Sequence, residues 1–159
     1  MKFFSQVCYS IVLFFVCIVD LYAEKVEIVS DNMYAQDMKK EVEFIGNVKI
    51  RQLENSIFAD KVRVYFNDRN ETDKYEAQGS VEFEFKDKKN HYKGMAEKVI
   101  YLPAKSKYKL IGKAEIEDIA NSRHIKANKI VLDMMQGDAK VYGSKKKPVK
   151  FIFEMEQNK

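Results

Sequence analysis

The sequence predicts an all-β protein built from repeated two-strand units, and two observations support this fold class. Apolar and polar residues alternate along several segments, and a short glycine-containing motif recurs at constant spacing. Strict alternation indicates a strand with one face in the core and the other in water. Beyond the N-terminal region no segment carries the sustained apolar stripe of a helix, so strands are the expected element throughout.

The alternation is clearest in three segments, 42–50, 75–85 and 108–116. In each segment, aliphatic or aromatic side chains alternate with mainly charged or amide side chains. The apolar positions are rich in β-branched and aromatic residues, which fit a pleated, half-buried surface. Clusters of Asn, Asp and Lys at 67–73 and 86–90 predict turns between the strands.

Two short motifs recur along the chain. The first is Gly-x-(Val/Ala)-x-apolar, and its glycines are 33 residues apart. The second is Ala-x-Lys-(Val/Ile), which follows each of these glycines. The first motif begins at Gly46, Gly79 and Gly112, and the second begins at Ala59, Ala96 and Ala127. A degenerate copy of the second motif stands at 30–33.

The spacing of the motifs is constant except in one repeat. In three repeats, 13 residues lead from the end of the second motif to the next glycine, whereas 17 lead from Val62 to Gly79. The additional residues predict an insertion in the turn at 67–73.

A period of this length also raises the possibility of ankyrin repeats, but their helices and Thr-Pro-Leu-His element are missing. A two-strand unit cannot bury its apolar face alone, so the units must stack into a continuous sheet or sandwich. Glycines in the middle of strands usually mark a bend or a close approach. Bends at regular intervals would curl the sheet around its apolar face and predict a groove.

The N-terminus predicts export. Lys2 precedes a thirteen-residue run, Val7–Val19, in which Ser10 is the clear polar interruption, and Ala23 stands before a strongly charged region. This pattern is typical of a secretory signal peptide cut after Ala23. The run is short for a membrane-spanning helix, which needs about 20 apolar residues. A retained membrane anchor is the alternative.

The remaining chain, residues 24–159, has the size of one domain. Both cysteines, Cys8 and Cys17, lie in the signal segment, so neither disulfides nor cysteine zinc sites are expected in the mature protein. Removal of Lys2 and Asp20 leaves the net charge of +4 unchanged. This mild excess falls short of the basic signature of nucleic-acid binding.

The repeated motifs carry a resemblance. The segment 42–48 (VEFIGNV), followed by Ala59-Asp60-Lys61-Val62 and their repetitions, resembles the OstA-like family of lipopolysaccharide-transport proteins. The resemblance covers about residues 26–143, nearly the whole mature chain. The signal peptide and the size are most similar to the small periplasmic member of that family. The degenerate first copy and the absence of tryptophan are departures.

The resemblance implies an open antiparallel β-jellyroll whose interior holds the acyl chains of lipopolysaccharide. It also implies a non-enzymatic carrier that needs no cofactor and moves lipopolysaccharide from the inner to the outer membrane. We expect the apolar, in-phase strand positions to contact lipid, to pack as core, or to do both. These positions are Val42, Phe44, Val48, Ile50, Phe58, Val62, Val64, Phe66, Val81, Phe83, Phe85, Val99, Leu110, Ile116, Ile130 and Leu132.

The family further implies end-to-end joining of such domains, with itself or with related jellyroll domains of inner- and outer-membrane components. Alternating apolar residues near the two ends of the mature chain predict edge strands for this joining. They are Val26 and Ile28 at one end, and Val149, Phe151, Phe153 and Met155 at the other. The alternative is that the last segment folds back as an ordinary internal strand.

Few polar residues suggest chemistry. His91 and His124 are far apart in the sequence and have no neighbouring metal-type cluster, so a ligand or base role is not expected. No nucleophile elbow, P-loop or nucleotide fingerprint is present. The segment Asp68-Arg69-Asn70-Glu71-Thr72 fits the acidic-extended acceptor sequence of bacterial N-glycosylation and makes Asn70 a possible modification site.

Three function classes therefore remain open. The first is a soluble lipopolysaccharide carrier and bridge. The second is an inner-membrane-anchored component of the same pathway, in which residues 1–23 are retained. The third is a structural adaptor of the envelope that assembles through its sheet edges and binds no lipid.

Overall fold

A computed structural model describes residues 25–86 and 88–155 of the chain. The predicted signal segment, with both cysteines, lies outside these described residues. The described part consists of β-strands, turns and one short 3₁₀ turn at Pro103–Lys105. In chain order the strands are β1 Glu27–Val29, β2 Asn32–Gln36, β3 Glu41–Gln52, β4 Asn55–Phe66, β5 Thr72–Lys86, β6 His91–Leu102, β7 Lys107–Asp118, β8 Arg123–Asp133, β9 Asp138–Tyr142 and β10 Lys150–Phe153.

The strands form one antiparallel sheet in the order β1-β3-β4-β5-β6-β7-β8-β10. Two further short strands complete its ends. β2 pairs with the part of β3 that β1 does not cover, and β9 pairs with the part of β8 that β10 does not cover. Each end of the sheet is thus made of two short strands that share one long neighbour. The predicted all-β architecture is confirmed, and the three clearest predicted segments lie within β3, β5 and β7.

Each repeated glycine forms a β-bulge in the middle of β3, β5 or β7. Gly46 and Asn47 together oppose the single residue Asp60 of β4. Their φ angles are +83° and +48°, a region that glycine adopts without steric cost. The same pair of positive angles recurs at 79–80 and 112–113. A bulge bends the strand and increases its local twist, so the bends expected from the glycines are present.

The bulges divide the sheet into two halves. Half-sheet A comprises β2, β9 and the parts of β3–β8 on their side of the bulges, whereas half-sheet B comprises β1, β10 and the remaining parts. Val42 in half-sheet A is 0 % exposed and Val48 in half-sheet B is 1 % exposed. Burial of this degree needs a second layer, and within the described residues only the opposite half-sheet supplies one. The fold is therefore an open jellyroll with an apolar interior.

The bulges also change which residues face inward on β4. Along β3 every second residue faces inward on both sides of the bulge without a change of phase. β4 has one residue fewer at this point, so its phase changes there. Ile57 and Ala59 consequently face inward on one side of Asp60, and Val62 and Val64 face inward on the other. The Ala-x-Lys-(Val/Ile) motif thus marks the point at which β4, β6 or β8 passes the bulge of a neighbouring strand.

This change of phase corrects the prediction for Phe58. Uninterrupted alternation placed Phe58 on the inner face, but it pairs with Lys49 and Glu82, both on the outer face. Phe58 is 39 % exposed, and the Lys49 ammonium lies 5.1 Å from the centroid of its ring. The inward positions on either side are Ile57 and Ala59.

Candidate functional site

One apolar row crosses the inner face of half-sheet B from edge to edge. Cross-strand pairing defines its members as Ile28, Ile50, Ile57, Phe83, Gly94, Ile116, Ile125 and Phe151. Ile28 is half-buried, and from Ile50 onward exposure rises along this row. Ile50 and Ile57 are buried, and Ile116 and Ile125 are half-buried. At the end of the row, Phe151 is 52 % exposed. The interior is closed near β3 and β4 and opens toward β10.

The equivalent row in half-sheet A stays covered over a longer distance. Its members are Met33, Phe44, Val62, Ala77, Val99, Leu110, Ile130 and Val141. Leu110 and Ile130, on β7 and β8, are 2 % and 0 % exposed. The groove therefore opens on the half-sheet B side, where β7, β8 and β10 leave their apolar residues partly uncovered.

The open end of the groove contains a cleft of about 600 Å³ beside β10. Phe151 and Phe153 line it with their rings stacked, 5.3 Å between centroids. Arg123 pairs with Phe153 across the strands and lines the same cleft. Among the described residues no ion pair of Arg123 is present. The Arg123 guanidinium and the Glu154 carboxylate, beside two exposed aromatic rings, give this mouth an amphipathic character.

A ladder of three tyrosines lies on the inner face of half-sheet A. The rings of Tyr75 and Tyr101 stack with centroids 6.0 Å apart, and those of Tyr101 and Tyr108 with centroids 4.3 Å apart. Burial raises the pKa of Tyr75 to about 12. These tyrosines were not among the predicted groove residues, although Tyr75 and Tyr108 stand in the predicted alternating segments.

Gly94 makes room for Phe83 within the half-sheet B row. A Cβ added at Gly94 would lie 2.7 Å from two ring carbons of Phe83. Because the two residues pair across β5 and β6, the absence of a side chain lets the ring lie against the neighbouring backbone. A glycine within an otherwise regular strand was the available sequence signal for this close approach.

The predicted groove residues fall into three sets. The first set is buried and forms the core: Val42, Phe44, Val48, Ile50, Val62, Val64, Phe66, Val81, Leu110 and Ile130. The second set lies half-buried against the core clusters: Phe83, Phe85, Val99, Ile116 and Leu132. The third set is Phe58 alone, on the outer face. Sequence reasoning missed further inward residues, among them Ile57, Ala59 and Ile125, whereas Ala77 and Ala114 stood at apolar positions of the predicted alternating segments without being included among the groove residues.

The outer face is held by ion pairs between neighbouring strands. Glu43 contacts Lys61 at 2.9 Å and Arg63 at 2.6 Å. The hydrogen bond from Lys61, reinforced by Arg63, lowers the pKa of Glu43 despite opposing desolvation. Glu76 is 6 % exposed and contacts Lys98 at 3.0 Å. Charges at these positions keep the outer surface polar over a sheet that is apolar inside.

Both histidines lie on this outer face, each beside a carboxylate. Nε2 of His91 is 2.6 Å from Oε1 of Glu84, and Nε2 of His124 is 3.3 Å from Oε2 of Glu115. Within the part of the chain that the structure describes, no group of three or more His, Cys, Asp or Glu side chains is arranged to hold a metal ion.

The ends of the sheet only partly follow the sequence expectation. Ile28 lies in the terminal strand β1, and Phe151 and Phe153 lie in the terminal strand β10. Val26 and Val149 immediately precede these strands, and Met155 follows two residues after β10. The prediction did not include β2 and β9, which complete the two edges.

The pattern of repeated bulges and apolar rows agrees with a known protein family. The family model described as LptA/(LptD N-terminal domain) LPS transport protein matches residues 27–138. The chain belongs to this family. The matched region runs from β1 to the start of β9 and includes every bulge described above.

A solved structure shares the fold. The LptA-family chain resembles the crystal structure of LptH from Pseudomonas aeruginosa, described as the LptA homologous periplasmic component of the conserved lipopolysaccharide transport device. The TM-score is 0.68 at 15 % sequence identity, and the match covers 83 % of this chain and 96 % of LptH. No curated protein sequence matches the chain significantly. Among the described residues, no helix is long and apolar enough to span a membrane.

Proposed function

We propose that this LptA-family chain is a periplasmic carrier and bridge that moves lipopolysaccharide from the inner to the outer membrane. The observation that carries the proposal is the apolar inner face, whose exposure rises from β3 toward β10. Acyl chains lie between the two half-sheets on this face, and the sugar portion stays in water. The role involves no chemical step by the protein.

The lipid contacts belong to the half-buried inward residues. The fully buried residues already pack against one another, so they are core unless the half-sheets separate. The contact set is therefore Phe83, Phe85, Val99, Ile116 and Leu132 from the sequence prediction, joined by Ile125, Phe151 and Phe153. Each buried methylene contributes about 0.8 kcal/mol. One acyl chain can therefore supply about 10 kcal/mol before the costs of ordering it.

Arg123 supports the orientation of the lipid. Its guanidinium lies at the mouth of the groove beside Phe151 and Phe153. Guanidinium groups bind phosphate through paired hydrogen bonds. We place the acyl chains on the aromatic rings and a lipid phosphate on Arg123.

The sheet edges support head-to-tail assembly. At one edge the chain runs from half-sheet B (β1) to half-sheet A (β2), and at the other from half-sheet A (β9) to half-sheet B (β10). A β1–β2 edge can therefore meet a β9–β10 edge antiparallel, with like half-sheets aligned, and continue the groove. Such an interface is heterologous and yields open filaments. Related jellyroll domains of membrane components are suitable partners by the same geometry.

The N-terminal segment decides between the two membrane-pathway alternatives. A carrier released into the periplasm requires removal of residues 1–23, so its first residue is Glu24. An anchored, LptC-like component keeps Met1 and remains with the inner membrane. Sequencing the N-terminus of the protein purified from its envelope separates them.

Site-specific photocrosslinking tests the groove. A photoreactive residue at 83 or 116, on the inner face, should label lipopolysaccharide, whereas one at 82 or 115, on the outer face, should not. The two pairs are matched because each inner position is adjacent in sequence to its outer control. Stronger labelling at 82 and 115 would overturn the groove assignment, and labelling at none of the four would favour the lipid-free adaptor.

Substitution of Phe83 gives an independent prediction. Phe83→Asp places a carboxylate against acyl chains, where its desolvation is costly, so lipopolysaccharide binding should fall at least tenfold. Glu82→Lys changes an exposed outer residue and should bind normally. Binding is measured by co-purified lipid and by titration, with circular dichroism to verify that both variants fold. Normal binding by folded Phe83→Asp would contradict the proposal.

A further inference from the structure

The hairpin of β4 and β5 differs from its neighbours in the jellyroll. The turn at 67–71 has one residue more than the corresponding turns at 37–40, 103–106 and 134–137. In addition, β5 begins seven residues before Gly79, whereas β3 begins five residues before its own bulge glycine. The four inserted residues therefore lengthen one hairpin at the rim of half-sheet A. Core packing does not account for this extension, since the residues in the turn are polar.

The longer turn carries an acceptor sequence for N-linked glycan. Asn70 is followed two residues later by Thr72, the only threonine of the chain, and no other asparagine has Ser or Thr at that distance. Asp68, two residues before Asn70, supplies the acidic extension used in bacterial N-glycosylation. An Asn-x-Ser/Thr sequence is meaningful where it stands in a surface turn of an exported protein.

The geometry of the turn leaves the acceptor nitrogen of the half-buried Asn70 without a hydrogen-bond partner. Lys40 Nζ donates a hydrogen bond to Asn70 Oδ1 at 3.0 Å, so the amide oxygen is occupied. Among the described residues, Asn70 Nδ2 has no hydrogen-bond acceptor and Asp68 has no ion-pair partner. The flanking side chains of Arg69 and Glu71 are 79 % and 59 % exposed.

The turn is held by other residues and does not depend on the Asn70 amide nitrogen. Asn67 Oδ1 accepts hydrogen bonds from the backbone N–H groups of Arg69 and Glu71. Asn67 Nδ2 also donates to Glu71 Oε2 at 3.0 Å. A substituent on Asn70 Nδ2 therefore leaves the hydrogen bonds that close the turn in place.

We propose that Asn70 is a site of N-glycosylation by a bacterial oligosaccharyltransferase after export. The inference rests on the export included in the proposed function. In the reaction, Asn70 Nδ2 forms a bond to C1 of an oligosaccharide while the bond between C1 and a polyprenyl-diphosphate oxygen breaks. The diphosphate leaves with the bonding electron pair, and the amide nitrogen loses one proton to solvent.

The position is compatible with assembly. The turn joins β4 and β5, which are separated from both terminal strands in the sheet order. The turn lies beside the turn 37–40 after β2, through Lys40, so a glycan there extends from the rim of the sheet and leaves the backbone groups of the β1–β2 and β9–β10 edges uncovered. The glycosylated and unmodified proteins should therefore show the same association in sedimentation experiments.

The test is mass spectrometry of the chain expressed with its own leader in cells that contain such a transferase. Intact mass should show one glycan, and the peptide that contains residues 68–72 should carry it. Asn70→Gln, Thr72→Ala and Asp68→Ala should each lose the modification completely. Thr72→Ser is the control, since it preserves the acceptor sequence and should remain modified.

Intact mass also reports removal of residues 1–23 and so separates the two proposals. A chain that begins at Glu24 and carries no glycan would overturn the assignment of Asn70 and leave the carrier function standing. A chain that keeps Met1 would contradict the released carrier in favour of the anchored component, and absence of the glycan from that chain would overturn the assignment of Asn70 as well.

Discussion

Gly79 illustrates how a single residue sets the curvature of the sheet. Its φ is +79°, and an added Cβ would lie 2.7 Å from the Cβ of Asp60 on the neighbouring strand. Gly46 makes the same approach to Asp31, and Gly112 to Glu97. Glycine is thus required at each of these positions for two reasons: the positive backbone angle and the close approach of an acidic side chain.

Replacement of Gly79 separates these two requirements. Gly79→Ala should lower the free energy of unfolding by about 1–2 kcal/mol for the backbone angle, and by about 1–3 kcal/mol more for overpacking against Asp60. Gly137→Ala is the control, because Gly137 has φ +71° and no atom within 4 Å of an added Cβ. Urea unfolding of both variants gives the difference. Equal destabilisation would mean that the contact with Asp60 contributes nothing.

Phe58 shows where prediction from the sequence ends at this scale. Alternation within β3 was predicted correctly because the Gly46-Asn47 bulge preserves the spacing of its inward residues. On β4 only Asp60 lies opposite the two bulge residues, so the inward residues on its two sides are three positions apart. Nothing in the identity of Asp60 reveals this change from the sequence. The inner residues of the motif are therefore Ala59 and Val62, and Phe58 lies outside.

At the scale of strands, the outer-face ion pairs fix neighbouring strands to one another. Glu76 of β5 contacts Lys98 of β6 at 3.0 Å and Lys74 of its own strand at 3.5 Å, and its side chain is 7 % exposed. Gln78 Nε2 donates to Glu76 Oε1 at 2.5 Å. Burial opposes ionisation of Glu76, but the hydrogen bond and charge of Lys98, with those of Lys74, lower its pKa below 4.5.

The lowered pKa predicts a pH dependence of stability. Because the pKa of Glu76 in the folded protein lies below its unfolded value, its stabilisation is complete above pH 4.5 and is lost as the pH falls through the folded pKa. Glu76→Gln should lower the free energy of unfolding at pH 7 by about 1.5–3 kcal/mol, and the difference from the unaltered protein should shrink below pH 4.5. Glu82→Gln, at an exposed position without an ion pair in the described structure, should change stability little. A difference for Glu76→Gln that is independent of pH would contradict this assignment.

The strand-level prediction succeeded for the long strands and for the terminal strands β1 and β10, but it did not include the short strands β2 and β9. β3, β5 and β7 are long enough for alternation to identify them, and apolar positions 62, 64 and 66 indicated β4. The strands β1, β2, β9 and β10 have only three to five residues. Their pairing depends on which part of β3 or β8 remains uncovered, and this is a property of the assembled sheet.

At the scale of the whole molecule, the decisive feature is the unequal closure of the two half-sheets. Ile130 of half-sheet A is 0 % exposed, whereas Phe151 at the end of the half-sheet B row is 52 % exposed. The sequence predicts apolar residues at both places with equal strength. Their different exposure follows from their places in the assembled sheet, because Ile130 lies on an interior strand and Phe151 on a terminal one, and alternation does not encode this. The same opening leaves apolar side chains of β10 available to another chain or to lipid.

From the two sheet edges we expect a head-to-tail assembly that suitable truncations limit to a dimer. A variant truncated after Ser144 lacks β10, and a variant that begins at Asp31 lacks β1. We expect the full mature protein to form concentration-dependent oligomers, because each molecule presents one edge of each kind. Each truncated variant alone should associate weakly, since one edge has lost the strand of half-sheet B. Lipopolysaccharide binding should weaken but remain measurable after truncation at Ser144, because the contacts of Phe151 and Phe153 are lost while Phe83, Ile116 and Ile125 remain.

A mixture of the two variants decides whether the interface is heterologous. Loss of β10 from one partner leaves its β1–β2 edge intact, and loss of β1 from the other leaves its β9–β10 edge intact. One intact edge of each kind permits a single interface, so sedimentation velocity of the mixture should show heterodimers and no larger species. Homodimers of either variant would instead indicate that like edges pair. If the truncated and full-length proteins associate equally, the terminal strands of half-sheet B lie outside the interface.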